Sequence, residues 1–223
     1  MSIFAIGDIH GSSLALDKLL SVIPLDENDT VVTLGDYPDR GLDTPGVFER
    51  LLRLEREYHL VALRGNHDEM MLNARNNREA RDIWEMNGGL STLEEYGSLR
   101  AIPNSHWQFL ENSCIDYWET ETHFFVHGSA YPNVPLWEQP TYKLHWGSFN
   151  DAEPHESGKV MVCGHTSQKN GLPNNKGYAI CLDTYACGTG WLSCLDVERG
   201  LVWQTNQQRQ MRRFPLAAPA ERQ

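Results

Sequence analysis

The chain has no long hydrophobic run, no run of basic residues and no cysteines spaced as CxxC. A bilayer span needs ~20 consecutive apolar residues, and no stretch approaches that length. The opening, MSIFAIGDIHG, has no basic start and only a short apolar run before a charge, so it does not read as a secretory leader. A soluble, cytoplasmic protein that does not act at a membrane is expected. The five cysteines (114, 163, 181, 187 and 194) are odd in number and three lie in apolar runs such as VMVCG, which suits reduced core thiols rather than a disulfide frame. Thirty acidic against nineteen basic residues give a formal charge of −11, which argues against a nucleic-acid or anionic-membrane partner. A small anionic substrate would need a local positive centre, and bound metal supplies one.

At 223 residues the chain is long for one domain and short for two. It reads as a single domain over residues 1–205 with a helical segment at about 68–112, followed by a polar tail at 206–223. β-rich runs at 2–6, 30–34 and 59–63 alternate with helical patterns at about 13–23 and 45–57, a β-α-β-α-β start that predicts a parallel sheet. "NGG" at 87–89 breaks the helical stretch. From 114 onward strands return as CIDYWET, THFFVHG, KVMVCGH, GYAICLDT, WLSCLDV and LVWQTN, the last two joined by ERG as an antiparallel hairpin. The expected fold is α/β, a mixed β-sandwich of two sheets flanked by helices. After Thr205 the sequence NQQRQMRRFPLAAPAERQ is too polar and proline-interrupted to be expected in the core.

Five strand ends carry polar, glycine-flanked clusters: Gly7-Asp8-Ile9-His10-Gly11, Gly35-Asp36-Tyr37-Pro38-Asp39-Arg40-Gly41, Arg64-Gly65-Asn66-His67-Asp68, Val126-His127-Gly128 and Cys163-Gly164-His165-Thr166. Singly, each is more often a turn than a site. Together they are not independent accidents, because ligands bind at the carboxyl ends of strands in α/β sheets. Asp8, Asp36, Asn66, His10, His127 and His165 form an oxygen and nitrogen donor set without thiolate, suited to Mn, Fe or Zn. Six donors exceed one catalytic zinc site and fit two ions sharing a carboxylate.

The five clusters, in order, resemble the calcineurin-like metallophosphoesterases and their phosphoprotein phosphatase branch, with the pattern GD-x-H-G, GD-x-x-DRG, GNH-[DE], H-[AG] and GH-[TS]. The likeness extends through WEMNGGLSTLEEYG, FVHGS, VCGHTSQ and CLDTYACGTGWLSCLDVERGLVWQTNQ, to small bacterial serine/threonine-type phosphatases. It implies two divalent metal ions, manganese first and iron or zinc next. Asp8, His10 and Asp36 would hold one ion, and Asp36, Asn66, His127 and His165 the other. It further implies His67 as the acid for the leaving group, Asp39 as its orienting carboxylate, and Arg40 and Arg64 as phosphate forks. The substrate would be a phosphorylated protein or small phosphoester. Symmetrical dinucleoside tetraphosphate hydrolysis and a non-catalytic metal-stabilised binding module are the alternatives. Ser148, in KLHWGSF, falls where protein-directed members usually carry arginine. The other histidines (59, 106, 123, 145 and 155) and the tryptophans read as packing or surface residues.

Overall fold

A computed structural model describes residues 2–219. The chain opens with β1 (Ile3–Ile6), α1 (Ser13–Leu20), β2 (Thr30–Thr33), α2 (Thr44–Glu57) and β3 (His59–Leu63). These strands pair in parallel, as the alternation with helices requires. α2 starts where the Asp43 carboxylate accepts the Gly46 N–H at 2.9 Å and a proline occupies its first turn. It buries Val47, Phe48, Leu51 and Leu54 against the sheet.

The middle of the chain is helical, with α3 (Asn66–Ala74), α4 (Arg78–Trp84), α5 (Leu90–Tyr96) and α6 (Asn104–Gln108). The expected break in this stretch falls at Gly88, which has φ 119° inside the π-type turn Glu85–Gly89. The run CIDYWET does not form one strand. β4 (Cys114–Ile115) pairs with β3 in the first sheet and β5 (Tyr117–Glu119) opens the second, so the chain crosses between sheets at Asp116.

The second sheet contains β6 (His123–Val126), β7 (Val160–Cys163), β8 (Asn174–Asn175) and β9 (Ala179–Cys181), in the order β5-β6-β7-β9-β8. A short helix, α7 (Thr141–Trp146), lies between β6 and β7 and is absent from the sequence-based expectation. The chain then returns to the first sheet with β10 (Leu192–Asp196), β11 (Leu201–Thr205) and β12 (Met211–Pro215), giving β12-β11-β10-β1-β2-β3-β4. The β10–β11 hairpin is as expected. β12, by contrast, forms within the stretch expected to stay off the core. An edge strand needs one covered face only, and here Arg212 lies over the rings of Trp191 (4.4 Å) and Phe214 (5.5 Å). Residues 220–223 lie outside the described residues.

The architecture is therefore two mixed sheets flanked by helices. Ala5, Val32, Leu34, Val61 and Leu63 from the first sheet meet Phe125, Val162, Ile180 and Leu182 from the second in one apolar layer. That layer holds the ends of β1, β2 and β3 beside those of β6 and β7.

Close backbone approach at this junction dictates Gly35, which has φ 98° and leaves only 2.5 Å between a would-be Cβ and the Gly65 nitrogen. Gly97 has φ 79° but nothing within 4 Å of the same position. Gly97→Ala should thus lose about 1–3 kcal/mol to backbone strain alone, and Gly35→Ala should lose more, because two loops must also part. Thermal unfolding of both variants tests this; equal melting temperatures would contradict the close approach.

Candidate metal centre

The strand-end clusters meet at the junction of the two sheets. Asp8 and His10 follow β1, Asp36 to Arg40 follow β2, Asn66 to Asp68 start α3, His127 follows β6 and His165 follows β7. His10, Asp36, Asp39, Arg40 and His165 all have φ between 44° and 74°. Left-handed backbone is uncommon for residues other than glycine, and its concentration here marks a site whose surroundings force it.

Asp36 is central. Its Oδ2 lies 3.3 Å from His10 Nε2 and its Oδ1 lies 3.3 Å from His127 Nε2. His10 Nδ1 is 2.8 Å from the Pro38 carbonyl and His127 Nδ1 is 2.7 Å from the Leu34 carbonyl. A carbonyl only accepts, so both Nδ1 atoms carry the proton and, in the neutral rings, both Nε2 lone pairs point at a carboxylate. Asn66 Oδ1 adds another acceptor, 3.0 Å from His127 Nε2 and 2.9 Å from His165 Nδ1. Lone pairs facing lone pairs require a cation or a proton between them, and the donor types suit a divalent transition metal. Among the described residues, His10, Asp36 and His67 bring one donor atom each within 4.8 Å of one another, as do Asp36, His127 and His165. Asp36 belongs to both groups. Asp8 belongs to neither; both its oxygens accept the His165 N–H, at 3.1 and 3.0 Å.

The electrostatics express the same conflict. Burial, with the charges of Asp183 and Asp36, pushes the Asp8 carboxyl well above its ordinary value. For Asp36 burial acts in the same direction, yet the His127 and His67 charges and hydrogen bonds from His10 and His127 outweigh it and hold the group well below. Burial lowers His10, but its hydrogen bond to Asp36 and that carboxylate's charge win and raise it, a proton standing in for a cation. His165 is lowered to about 4 by burial and then by the His127 charge, so it is a neutral imidazole at pH 7 and ready to ligate.

His67 Nδ1 lies 2.7 Å from Asp39 Oδ2. Asp39 is fully buried and also accepts from Trp84 Nε1 (2.8 Å) and Thr92 Oγ1 (2.7 Å). Neither Trp84 nor Thr92 stands out in the sequence, where Trp84 reads as packing only. Asp68, raised to about 7 by burial and the Asp36 charge, accepts the backbone N–H groups of Asp36, Tyr37 and Gly65 and ties the β2 and β3 loops together. Arg40 Nη1 is 3.0 Å from His10 Nε2. Arg64 turns to the Leu110 and Cys114 carbonyls and lies 3.7 Å from Asp116. Ser148 Oγ accepts the Asn150 N–H and caps the turn Phe149–Asp151.

A family model for calcineurin-like phosphoesterases matches residues 1–183, and the chain belongs to that family of metal-dependent phosphoesterases. It is similar to serine/threonine-protein phosphatase 1 of Salmonella typhimurium, with 41% identity over 88 residues, which is 39% of this chain and 38% of that protein. It also resembles a symmetrical bis(5'-nucleosyl)-tetraphosphatase of Paracidovorax citrulli, at 40% identity over 33% of this chain and 26% of that protein. The matched stretch thus spans well under half the length of either relative. A solved structure provisionally named a diadenosine tetraphosphatase superposes with TM-score 0.67 at 20% identity, covering 96% of this chain and 93% of its own, which shows the shared fold.

Beside the site, the buried His145 ring bridges Glu69 Oε2 (3.2 Å) and Asp116 Oδ1 (3.1 Å). Burial disfavours its charge, but hydrogen bonds to the two carboxylates raise it to about 9. An unfolded histidine titrates near 6.5, so this contribution to stability is complete below that value and is lost as pH rises through about 9. The parent's melting temperature should therefore fall as pH rises through about 9, and His145→Gln should flatten that fall. Parallel melting curves across pH ~6 to ~10 would contradict it.

Proposed function

We propose that this chain hydrolyses phosphomonoesters at a pair of divalent cations, and that phosphoserine and phosphothreonine residues of proteins are its substrates. Asp36, set between two imidazole Nε2 atoms and common to both donor groups, is the observation that carries the reading. The phosphoprotein assignment draws support from the likeness to a serine/threonine phosphatase.

Asp8, His10 and Asp36 would hold one cation, and Asp36, Asn66, His127 and His165 the other, with manganese favoured and iron or zinc compatible. Bound there, the pair supplies the Lewis acidity that makes water a nucleophile near neutral pH and offsets phosphate charge. His67 is the proton donor. Its Nδ1–H is held by Asp39, so Nε2 is the nitrogen left for the leaving oxygen as the P–O bond breaks. Trp84 and Thr92 fix Asp39 and, through it, the plane of the His67 ring. Arg40 stands at the site edge as a fork for phosphate oxygens. Arg64 is the weaker second fork, because its Nη2 already serves two carbonyls.

The deciding experiment compares phosphoserine and phosphothreonine peptides, diadenosine tetraphosphate and an aryl phosphate on stripped protein reconstituted with Mn, Fe, Zn or Mg. Turnover of the phosphopeptides, restored best by Mn, is expected. Faster turnover of the tetraphosphate would move the assignment, and full activity in protein shown metal-free by elemental analysis would overturn it. Asp36→Asn should lose more bound metal than Asp8→Asn, since it weakens both cations at once.

His67→Asn should keep its metal and lose about 10² or more in kcat on alkyl phosphates, the usual contribution of a general acid. On an activated aryl phosphate, whose leaving group needs no proton, the deficit should shrink. Equal deficits on both substrates would mean that His67 binds or positions instead.

A further inference from the structure

α5 is seven residues long, and its buried residues are Thr92 and Leu93, one of them polar. So short a helix has little stability of its own and takes its position from what it touches. Glycines with positive φ bound it, Gly88 at 119° before it and Gly97 at 79° behind it. Yet this helix supports the proposed proton donor. Asp39 Oδ2 accepts from His67 Nδ1 and Trp84 Nε1, whereas Oδ1 takes its hydrogen bond from Thr92 Oγ1 at 2.7 Å, and the Asp39 N–H donates to the same hydroxyl at 3.0 Å. Thr92 thus holds both the carboxylate and a backbone that sits at φ 74°.

What seats α5 is Glu95, one turn past Thr92 on the same helix face. Its Oε2 accepts the backbone N–H of Thr44, and the Thr44 hydroxyl bonds the same carboxyl. Thr44 opens α2, where N–H groups lack partners within the helix and negative charge is favoured. Asp43 serves the Gly46 N–H of that turn, and Glu95 reaches over from another helix to serve Thr44. The Thr44 and Thr92 hydroxyls lie 3.3 Å apart, so Thr92 and Glu95 both reach the start of α2, which its own buried face fixes to the sheet. The grip has a cost. Glu95 Oε1 is buried with no hydrogen-bond partner among the described residues, and burial, helped by the Asp43 and Asp39 charges, raises the carboxyl to about 6 against the hydrogen bonds from Thr44. A half-exposed glutamate would avoid that cost by turning into water, so its orientation is imposed by what the carboxyl holds.

We propose that Glu95 is a positioning residue for the proton donor: by clasping the first turn of α2 it seats α5 so that Thr92 fixes Asp39 and, through it, the plane of the His67 ring. The inference rests on the reading of His67 as that donor, with the reaction unchanged. The proton on Nε2 passes to the leaving oxygen as the P–O bond breaks, and the Nδ1–H stays on Asp39. Such transfer requires the donor nitrogen within hydrogen-bond reach of the oxygen, and a displacement of ~1 Å costs up to about 10² in rate. Because Glu95 acts through the ring, its removal costs no more than removal of the ring itself.

Variants of Glu95 in Mn-reconstituted protein test it, with kcat and KM measured on an alkyl and an activated aryl phosphate well below each melting temperature. Glu95→Ala and Glu95→Asp, the latter one methylene too short to reach Thr44, should each lower kcat on the alkyl phosphate about tenfold with KM unchanged, and much less on the aryl phosphate. Glu95→Gln keeps an acceptor oxygen at the right reach and should retain most of the rate. Added to His67→Asn, Glu95→Ala should lower kcat no further. Parental kcat in both shortened variants, equal losses on the two substrates, equal losses in Glu95→Gln and Glu95→Ala, or a full further loss on top of His67→Asn overturns the proposal. Proton and nitrogen NMR of the His67 Nδ1–H gives a second readout that needs no turnover. Its resonance should shift and broaden in Glu95→Ala and Glu95→Asp and stay near the parental position in Glu95→Gln. An unchanged resonance in both shortened variants overturns the positioning role whether or not phosphate is released, which separates this inference from failure of the hydrolytic one.

Discussion

The structure depends on one electrostatic constraint, which is that acceptors converge on the buried carboxylate of Asp36 with too few protons among them. With the rings neutral, His10 Nε2, His127 Nε2 and Asn66 Oδ1 all present acceptor atoms toward the same small volume, and a proton on a ring relieves the conflict only by standing in for a cation. In a water-filled turn such crowding would relax by rotation. Here it cannot, because the two Nδ1 atoms are pinned by carbonyls and Asp68 ties the Asp36 backbone to Gly65. The left-handed conformations at His10, Asp36 and His165 are the backbone cost of the same arrangement. A bound cation removes the conflict at its source, which makes metal binding and folding of these loops one free-energy problem.

Neither sheet contains this site alone. Asp8, His10 and Asp36 follow strands of the first sheet and Asn66 starts α3 just after its β3, whereas His127 and His165 follow strands of the second. What sets the distance between the halves is the apolar layer from Ala5 and Leu34 to Phe125 and Val162. A volume change of one methylene there moves donor atoms rather than merely loosening a core, since close-packed interiors transmit strain. The crossing at Asp116 adds a polar tie, because that residue meets both Arg64 and His145 just where the chain passes between sheets.

Much of this was legible in the sequence, for a specific physical reason. Each cluster closes an apolar strand, and in an α/β fold strand ends fall on a common edge, so local spacing carried three-dimensional information. Glycine precedes both Asp36 and Asn66, and the structure shows what it serves there: a Cβ on Gly35 would stand 2.5 Å from the Gly65 nitrogen. What escaped was settled by partners far along the chain. Trp84 and Thr92 become holders of Asp39 only because the Gly88 kink turns α4 and α5 back upon that loop. β12 lacks the apolar pattern of a buried strand, and only the rings of Trp191 and Phe214 give Arg212 something to cover. The division of CIDYWET between two sheets leaves no mark on its composition.

The histidines show most sharply where residue type ceases to inform. His165 and His145 are both mostly buried and both border the same site. One is held neutral, lowered to about 4, and the other is held as a cation, raised to about 9. Burial pushes both the same way, so burial does not separate them. The separation comes from neighbours: His165 faces the charges of His127, His67 and Arg40, with Asp36 alone opposing, whereas His145 lies between two hydrogen-bonded carboxylates. A neutral imidazole beside the donor set is suited to ligate a metal, and a charged one behind it is suited to hold Glu69 and the end of α7. The fold thus gives one type of side chain two opposite tasks, through the signs of the charges each ring faces.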